Sequence, residues 1–319
     1  MRQFIVVLFC VGAFQAFAEF RNPNTDWMPE AKLGVFMHFL PSANNFGDVD
    51  TFDVPALVKQ LSDLRIRYFV ITLGQNSGYM CSPNDTYEKL VGFEPNSRCS
   101  KRDLPMELAE ALKPHGIRLM LYLPCQMPTR DPQAVKAFGL AEAPNHGGGG
   151  DRKINPAFAD KWAQVIETWS TRYGDKVSGW WFDGAYPWCD FNEDIAQRYA
   201  TAVKKGNPKA VVAFNPGVGL KRWVPSDDYT AGELNNPFSA TCDSRWLNDA
   251  QWQVLTFLGK GWGQKDTRFT NEQWIDWLSR VTANGGTVTI DLGHTPSGTL
   301  VDKQFEQMQA ICDAIFGKK

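Results

Sequence analysis

The chain has 319 residues, of which 43% are hydrophobic and 21% are charged, so it can form a large folded core. Its 33 basic and 35 acidic residues give a formal charge of −2, which provides no basic field for a nucleic-acid backbone. These values exclude a disordered or collagen-like chain and argue against nucleic-acid binding.

Residues 1–18 have the pattern of a cleaved signal peptide. Arg2 supplies the positive charge, an apolar run extends from Phe4 to Phe17, and Ala16 and Ala18 are the small residues expected before a cleavage site. The alternative is a membrane anchor, but this run of about 14 residues is shorter than the ~20 that span a bilayer. We therefore expect residues 19–319 to be secreted or periplasmic, as one domain that is not inserted in a membrane.

The remaining chain alternates apolar runs of strand length with segments of helical periodicity. The predicted strands are 33–39, 68–73, 119–124, 177–182, 210–214, 229–234, 252–257 and 286–292. The predicted helices are 54–64, 104–112, 157–173, 192–205, 271–283 and 301–316. Eight buried strands separated by helices favour an α/β fold, and specifically a single-domain (β/α)₈ TIM-like barrel.

The sequence offers no motif for a cofactor or a metal. No G-x-G-x-x-G segment follows the first strand, and none of the six cysteines after residue 18 lies in a C-x-x-C pair. The cysteines leave two interpretations open. Cys81 and Cys99 form a disulfide in the first, and most cysteines, such as Cys312, are buried thiols in the second.

In barrels of this type, catalytic groups lie where the strands end. The polar residues at the predicted strand ends are His38, Gln75, Asn76, Gln126, Asp183, Asn215, Glu233, Asp291 and His294. Asp183 follows an aromatic run and Glu233 ends the sixth predicted strand. Asp183 has the alternative role of capping a turn, and His38 is as compatible with a structural imidazole as with a sugar ligand. Two carboxylates near aromatic side chains are typical of a glycosidase.

Several segments match the conserved motifs of one enzyme family. They are Lys32-Leu-Gly-Val-Phe-Met-His-Phe39, Ser100-Lys-Arg-Asp103, Gly116-Ile-Arg-Leu-Met-Leu-Tyr122, Trp181-Phe-Asp-Gly184 and Asn284-Gly-Gly-Thr-Val-Thr-Ile-Asp291. The first is similar to K-F-G-I-F-I-H-W, and the fourth to the segment that carries the family's nucleophile. Over most of residues 27–315 the chain resembles the catalytic barrel of glycoside hydrolase family 29, the α-L-fucosidase family.

The resemblance implies a retaining exo-glycosidase that acts on glycans or oligosaccharides. Asp183 would be the nucleophile, Glu233 the acid/base and His38 a sugar-contacting residue. Where fucosidases carry H-H-D-G-F, this chain has Gln75-Asn-Ser-Gly-Tyr79, so the histidine pair that grips fucose hydroxyls is absent. We therefore expect a terminal α-L-fucosyl residue or a related, possibly substituted sugar. The substrate-binding residues we expect are His38, Gln75, Asn76, Tyr79, Trp181, Trp188, Trp262 and Asp291.

Two other functions fit the same residues. The first is a catalytically inactive barrel that binds glycans, in which Gln253 replaces a glutamate of the family pattern. The second is an inverting hydrolase, whose carboxylates would lie about 6.5 to 9.5 Å apart. The presence of both Asp183 and Glu233 favours catalysis, because a binding protein has no need for paired carboxylates.

Overall fold

The computed structural model describes residues 21–143 and 150–318, so the predicted signal peptide lies outside the described residues. A parallel sheet of seven strands carries the fold, in the order β5-β4-β3-β2-β1-β9-β8. Its strands are β1 (Leu33–Met37), β2 (Tyr68–Thr72), β3 (Arg118–Pro124), β4 (Val177–Asp183), β5 (Val211–Phe214), β8 (Gln253–Phe257) and β9 (Thr287–Asp291). A separate antiparallel pair consists of β6 (Trp246–Leu247) and β7 (Ala250–Gln251).

Helices follow most of these strands along the chain. They are α1 (Trp27–Ala31), α2 (Asp48–Thr51), α3 (Val54–Asp63), α4 (Asp85–Val91), α5 (Leu104–Leu112), α6 (Pro132–Phe138), α7 (Pro156–Tyr173), α8 (Glu193–Gly206), α9 (Asn271–Ala283) and α10 (Asp302–Phe316). The six helices expected from the sequence agree with α3, α5, α7, α8, α9 and α10 to within one residue at each end. The short helices α1, α2, α4 and α6 were not expected, because they lack a long periodic apolar pattern.

The predicted helix boundaries agree because capping side chains fix them. Asp103 accepts a hydrogen bond from the Met106 amide at the start of α5, and Asn155 caps α7 in the same way. Thr270 and Gln273 form a capping box at the start of α9. Each of these caps satisfies backbone N–H groups that have no partner inside the helix.

No regular strand forms at the predicted sixth position, because residues 229–234 make only isolated bridges, to Gln251 of β7 and to Leu255 of β8. The segment lies between the two edge strands, since the Asp228 amide donates to the Val212 carbonyl of β5 at 2.9 Å and the Leu234 amide donates to Leu255 of β8 at 2.9 Å. Gly232 has a φ of +61°, a left-handed conformation that interrupts an extended strand.

Two aspartates replace strand pairing along β5. Asp227 Oδ1 accepts the Phe214 amide at 2.8 Å, and Asp228 Oδ2 accepts the Val212 amide at 3.0 Å. Side-chain carboxylates therefore satisfy amides that a sixth strand would have bonded. The observed architecture is an α/β domain with a curled sheet of seven parallel strands rather than eight regular ones.

The core has an inner and an outer layer, because side chains on a strand alternate between the two faces of a sheet. The inner layer includes Phe36, Tyr68, Met120 and Tyr122, while the outer layer packs the other face of the sheet against the helices. The six described cysteines are buried and unpaired, which favours buried thiols over the Cys81–Cys99 disulfide. Within the described ranges no helix is long and apolar enough to cross a membrane.

Candidate active site

A cavity of about 450 Å³ opens where the strands of the sheet end. It is lined by His38, Leu40, Gln75, Tyr122, Trp181, Asp183, Tyr186, Glu233, Leu255, Trp262 and Gly263. Six residues predicted from the sequence thus meet in one space, namely His38, Gln75, Trp181, Asp183, Glu233 and Trp262. They come from distant parts of the chain because the carboxyl ends of parallel strands all lie at the same edge of a sheet.

Asp183 is the last residue of β4, and neighbouring side chains hold its carboxylate in place. Its Oδ2 accepts a hydrogen bond from the Tyr122 hydroxyl at 2.6 Å, and Tyr122 in turn accepts from Gln75 Nε2 at 2.7 Å. Its Oδ1 accepts from the Gly184 amide at 2.9 Å. Trp181 lies beneath, with its ring stacked on Tyr122 at a centroid distance of 5.4 Å. The carboxylate is therefore oriented toward the cavity.

Asn215 connects the two candidate catalytic carboxylates. Its Nδ2 donates to Asp183 Oδ1 at 2.9 Å and to Glu233 Oε2 at 2.5 Å. Its Oδ1 accepts the Gly217 amide, which fixes the orientation of the side-chain amide. Because both accepting oxygens contact the same nitrogen, those two distances limit their separation to about 5.4 Å at most.

The two carboxylates differ in their surroundings, and this raises the pKa of Glu233 to about 7. Burial of Glu233 is the main cause, and the nearby charge of Asp183 adds to it, since both disfavour a second negative charge. The hydrogen bond from Asn215 and the nearby His38 act in the opposite direction. A substantial fraction of Glu233 is therefore protonated near neutral pH, as a general acid requires.

His38 is positioned from beneath by a buried aspartate. Its Nδ1 lies 2.9 Å from Asp291 Oδ1, and the side chain of Asp291 is fully buried while that of His38 is 14% exposed. The other carboxylate oxygen of Asp291 accepts the Gly263 amide, which ties down the loop that carries Trp262. Asp291 therefore supports His38 and the loop of Trp262 from outside the lining of the cavity. Nε2 of His38 is left for a ligand.

A comparison with known protein families shows which family this chain belongs to. The α-L-fucosidase family model matches residues 42–315, which is most of the chain. The chain belongs to the α-L-fucosidase family. The chain is therefore a member of a glycoside hydrolase family.

Solved structures of fucose-directed hydrolases share this fold. An endo-fucoidan hydrolase, MfFcnA4 of glycoside hydrolase family 107, is 18% identical with a TM-score of 0.73 over 92% of this chain and 54% of that one. The α-L-fucosidase AlfC from Lactobacillus casei, in complex with its α-L-fucose product, is 17% identical with a TM-score of 0.64 over 92% and 98%. A putative α-L-fucosidase from Bacteroides thetaiotaomicron is 13% identical, with a TM-score of 0.64 over 91% and 67%.

The chain thus spans about half the length of the first of these structures. No curated protein sequence matches it.

Four residues expected to bind sugar in this α-L-fucosidase-family chain lie outside the lining of the cavity, and one of them is Asp291, which contacts His38 as described above. Tyr79 packs against Phe46 and under the guanidinium of Arg98, so its ring is covered. Asn76 accepts a hydrogen bond from Thr129 at 3.2 Å, and it lines a smaller neighbouring cavity. The Gln75-Asn-Ser-Gly-Tyr79 segment turns after Gln75, and only its first side chain reaches the main cavity.

Trp188 is the fourth of these residues. Its ring stacks on that of Tyr186 at 4.5 Å, and its Nε1 donates to Asp151 at 2.8 Å. Tyr186 stands between Trp188 and the catalytic cavity. Trp188 therefore supports the cavity wall through its neighbour.

The residues expected to bind sugar did not include Tyr122 or Tyr186, and Asn215 was given no role. Asn215 had a detectable signal, because it directly follows the fifth predicted strand. Tyr122 also had one: it lies two residues before the end of β3, on the inward-facing alternation that includes Met120. Tyr186 lies in a loop, where no periodic pattern marks its direction.

Replacing Tyr122 with phenylalanine should lower kcat/KM by about 10-fold to 100-fold, because Asp183, the candidate nucleophile, loses a hydrogen bond to one carboxylate oxygen. A matched control is Tyr173→Phe, which removes a buried hydroxyl that contacts Ser82 and Asp103, away from the cavity. Both variants should lose about 1 kcal/mol of unfolding free energy. Steady-state kinetics should separate them, and equal rate losses in both would argue against a role for Tyr122 in positioning Asp183.

Proposed function

We propose that this protein is an exported, retaining exo-glycosidase that removes a terminal α-L-fucosyl residue, or a closely related sugar, from glycans. The observation that carries the proposal is the single amide of Asn215, which donates to both Asp183 and Glu233. Two carboxylates held by one side chain at the base of a cavity form a pair suited to glycosidic bond cleavage.

The short separation supports retention of configuration. Retaining enzymes hold their carboxyl groups about 5 to 5.5 Å apart, whereas inverting enzymes need about 6.5 to 9.5 Å to fit a water molecule. The accepting oxygens of Asp183 and Glu233 are at most about 5.4 Å apart, as their bonds to Asn215 require. This separation leaves no room for an intervening water. We therefore assign direct attack on the anomeric carbon to Asp183.

The reaction follows from the two environments. Asp183 forms a bond to the anomeric carbon while the glycosidic bond breaks and Glu233 gives its proton to the leaving oxygen. Glu233, now ionised, takes a proton from water, and that water displaces Asp183 from the sugar. The raised pKa of Glu233, about 7, suits a group that must first donate and then accept a proton.

Aromatic and polar groups in the cavity support a pyranose substrate. Trp181 and Trp262 offer apolar faces, and His38 and Gln75 offer hydrogen-bonding groups. We propose α-L-fucose or a related sugar because AlfC, which shares the fold, is recorded with an α-L-fucose product. Gln75 uses Nε2 to hold Tyr122, so it presents its amide oxygen to the sugar.

A panel of aryl α- and β-glycosides and natural fucosylated, galactosylated and sulfated oligosaccharides tests the proposal. We expect turnover of α-L-fucosides or close analogues, and the first sugar product seen by proton NMR should keep the anomeric configuration of the substrate. An inverted first product would overturn the retaining mechanism. Binding of glycans without any turnover would favour the inactive glycan-binding barrel instead.

We also infer that residues 227–234 complete the sheet as a degenerate sixth strand of a (β/α)₈ barrel. The segment bonds to β5 through Asp228 and to β8 through Leu234, with 2.9 Å backbone hydrogen bonds on each side. In a closed barrel Glu233 would lie at the end of the sixth strand, as Asp183 lies at the end of β4.

Export is part of the proposal, since Arg2, the apolar run to Phe17 and the small residues Ala16 and Ala18 form a signal sequence pattern. We expect the mature protein to begin near Glu19 and to be found in the periplasm or the medium. N-terminal sequencing of the protein from its natural host is the measurement. An intact Met1 on soluble mature protein would contradict export by cleavage.

A further inference from the structure

A second, smaller cavity of about 50 Å³ adjoins the catalytic one. We call it the side cavity, and it is lined by Gln75, Asn76, Tyr122, Pro124, Gln126, Thr129, Asp151, Asp183, Gly184 and Tyr186. Four of these residues, Gln75, Tyr122, Asp183 and Tyr186, also line the catalytic cavity. The two spaces therefore meet at the nucleophile.

The position of the side cavity decides which part of a substrate can enter it. Glu233 and Trp262 line the catalytic cavity and not the side cavity. The leaving group must lie next to Glu233, because that residue protonates its oxygen. A group in the side cavity therefore belongs to the sugar that Asp183 attacks, on the side of its ring away from the leaving group.

The lining of the side cavity is polar and largely fixed in place. Gln126 is held at both ends, since Nε2 donates to the Gly184 carbonyl at 3.0 Å and Oε1 accepts the Arg152 amide at 2.8 Å. Asn76 Oδ1 accepts the Thr129 hydroxyl, which leaves the Asn76 amide nitrogen as a donor for a ligand. Gln75 keeps its amide oxygen as an acceptor, because Nε2 is used by Tyr122. Together these side chains can donate to and accept from one small polar group.

The charge at the side cavity is negative. Asp151 and Asp183 are the charged side chains among its lining residues. The two basic residues that follow Asp151 are paired elsewhere, since Arg152 contacts Glu142 at 3.1 Å and Lys153 contacts Asp190 at 2.7 Å. Arg130, which follows Thr129, is exposed and is not among the lining residues.

Tyr186 lines both cavities, and the negative charges around it change the pKa of its hydroxyl. Its pKa is raised above the usual range, first by the charge of Asp183, then by burial, and further by Glu233 and Asp151. A negative ligand in the side cavity would lie in the same unfavourable field.

We propose that the side cavity binds a small neutral, hydrogen-bonding substituent on the reacting sugar, such as a hydroxymethyl or O-methyl group, and excludes a sulfate ester or carboxylate. Its size admits only a few non-hydrogen atoms, given that a bound water needs about 10 to 15 Å³. This inference rests on the proposed function, because it assumes that a sugar occupies the catalytic cavity beside Asp183.

Calorimetric titration of the wild-type protein with free sugars tests the inference without any reaction. The probes are L-fucose, L-galactose, which carries a hydroxyl on the methyl carbon, and the mono-O-methyl and monosulfate derivatives of L-fucose. At the ring position that faces the side cavity, the neutral derivative should bind within about threefold of L-fucose. The sulfate at the same position should bind at least about tenfold more weakly.

A charge variant separates electrostatic exclusion from lack of space. Asp151→Asn keeps an oxygen that can accept from Trp188 but removes the charge, so it should improve sulfate affinity relative to O-methyl affinity by about tenfold. Asp276→Asn, which neutralises an exposed carboxylate on α9, should leave that ratio unchanged. Sulfate binding as tight as O-methyl binding at every position, or an unchanged ratio in Asp151→Asn, would overturn the inference.

The outcomes also distinguish this inference from the proposed function. Equal hydrolysis of sulfated and methylated glycosides would overturn the inference while the glycosidase assignment stands. The expected discrimination in binding, without turnover of any glycoside, would overturn the proposed reaction alone. If none of the sugars bound, both the inference and the proposed function would be overturned.

Discussion

Asp183→Ala is expected to lower kcat by at least about 10⁴-fold, because it removes the group assigned to bond the anomeric carbon and the other carboxylate, Glu233, is assigned to proton transfer. Tyr122 and Asn215 would still shape the cavity, but they would face a methyl group instead of a carboxylate. KM or substrate affinity should change much less than kcat. Steady-state kinetics on an aryl glycoside, with affinity measured separately by calorimetry, provides the test.

Two controls make the loss specific to Asp183. Asp194→Asn neutralises an exposed carboxylate of α8 that pairs with Arg198, and it should retain wild-type activity. Circular dichroism should show that the Asp183→Ala variant is folded, and azide should restore part of its activity and give a product of inverted configuration. Full activity in folded Asp183→Ala protein would rule out the retaining mechanism with this nucleophile.

Glu233→Ala is expected to slow hydrolysis of natural glycosides by about 10² to 10⁴-fold, because the leaving oxygen loses its proton donor. For aryl glycosides with good leaving groups, such as nitrophenolates, the rate of the bond-breaking step should fall much less, because these groups need little protonation. Azide should accelerate the variant by attacking the glycosyl-enzyme directly. The glycosyl azide should have the anomeric configuration of the substrate, which NMR can establish.

The same residue should set the alkaline side of the pH profile. The acid form of Glu233 is required, and its pKa is raised to about 7, so kcat/KM of the wild type should fall as the pH rises through that value. Glu233→Gln should abolish this decline.

Retention of full activity on natural glycosides in Glu233→Gln would assign the acid to another residue. Asp228 and Asp291 are poor replacements, because the first bonds the Val212 amide and Asn22 and the second is buried under His38.

The seven strands of the parallel sheet were predictable to within two residues at each end, because each is a short, largely apolar run buried on both faces of the sheet. The sixth was not, since Asp228-Tyr-Thr-Ala-Gly-Glu233 looks like a strand in sequence. This segment does not form a regular strand because the side chains of Asp227 and Asp228 bond the amides of β5. A linear sequence pattern contains no sign of such contacts. Local propensity was overridden by a tertiary arrangement.

The two candidate catalytic carboxylates were predictable from their positions in the sequence. The side chains that hold them, Tyr122 and Asn215, were not. Asp183 and Glu233 end apolar segments, so their carboxylates had to emerge at the edge of the sheet. Nothing in the spacing of residues 183, 215 and 233 indicates that one amide would join them. Tyr79 was wrongly placed for a similar reason: Arg98, distant in a different loop, covers its ring.

The two candidate catalytic carboxylates are anchored in different ways, and this affects how freely each can change during evolution. Asp183 ends a strand that pairs on both sides, with β3 and β5, so an insertion near it would shift a continuous register. Glu233 lies on the irregular segment that two aspartate side chains and a few backbone bonds attach to the sheet. Insertions and deletions there disturb few partners. We therefore expect the proton donor to vary in chain position among proteins of this fold, while the nucleophile stays at the end of its strand.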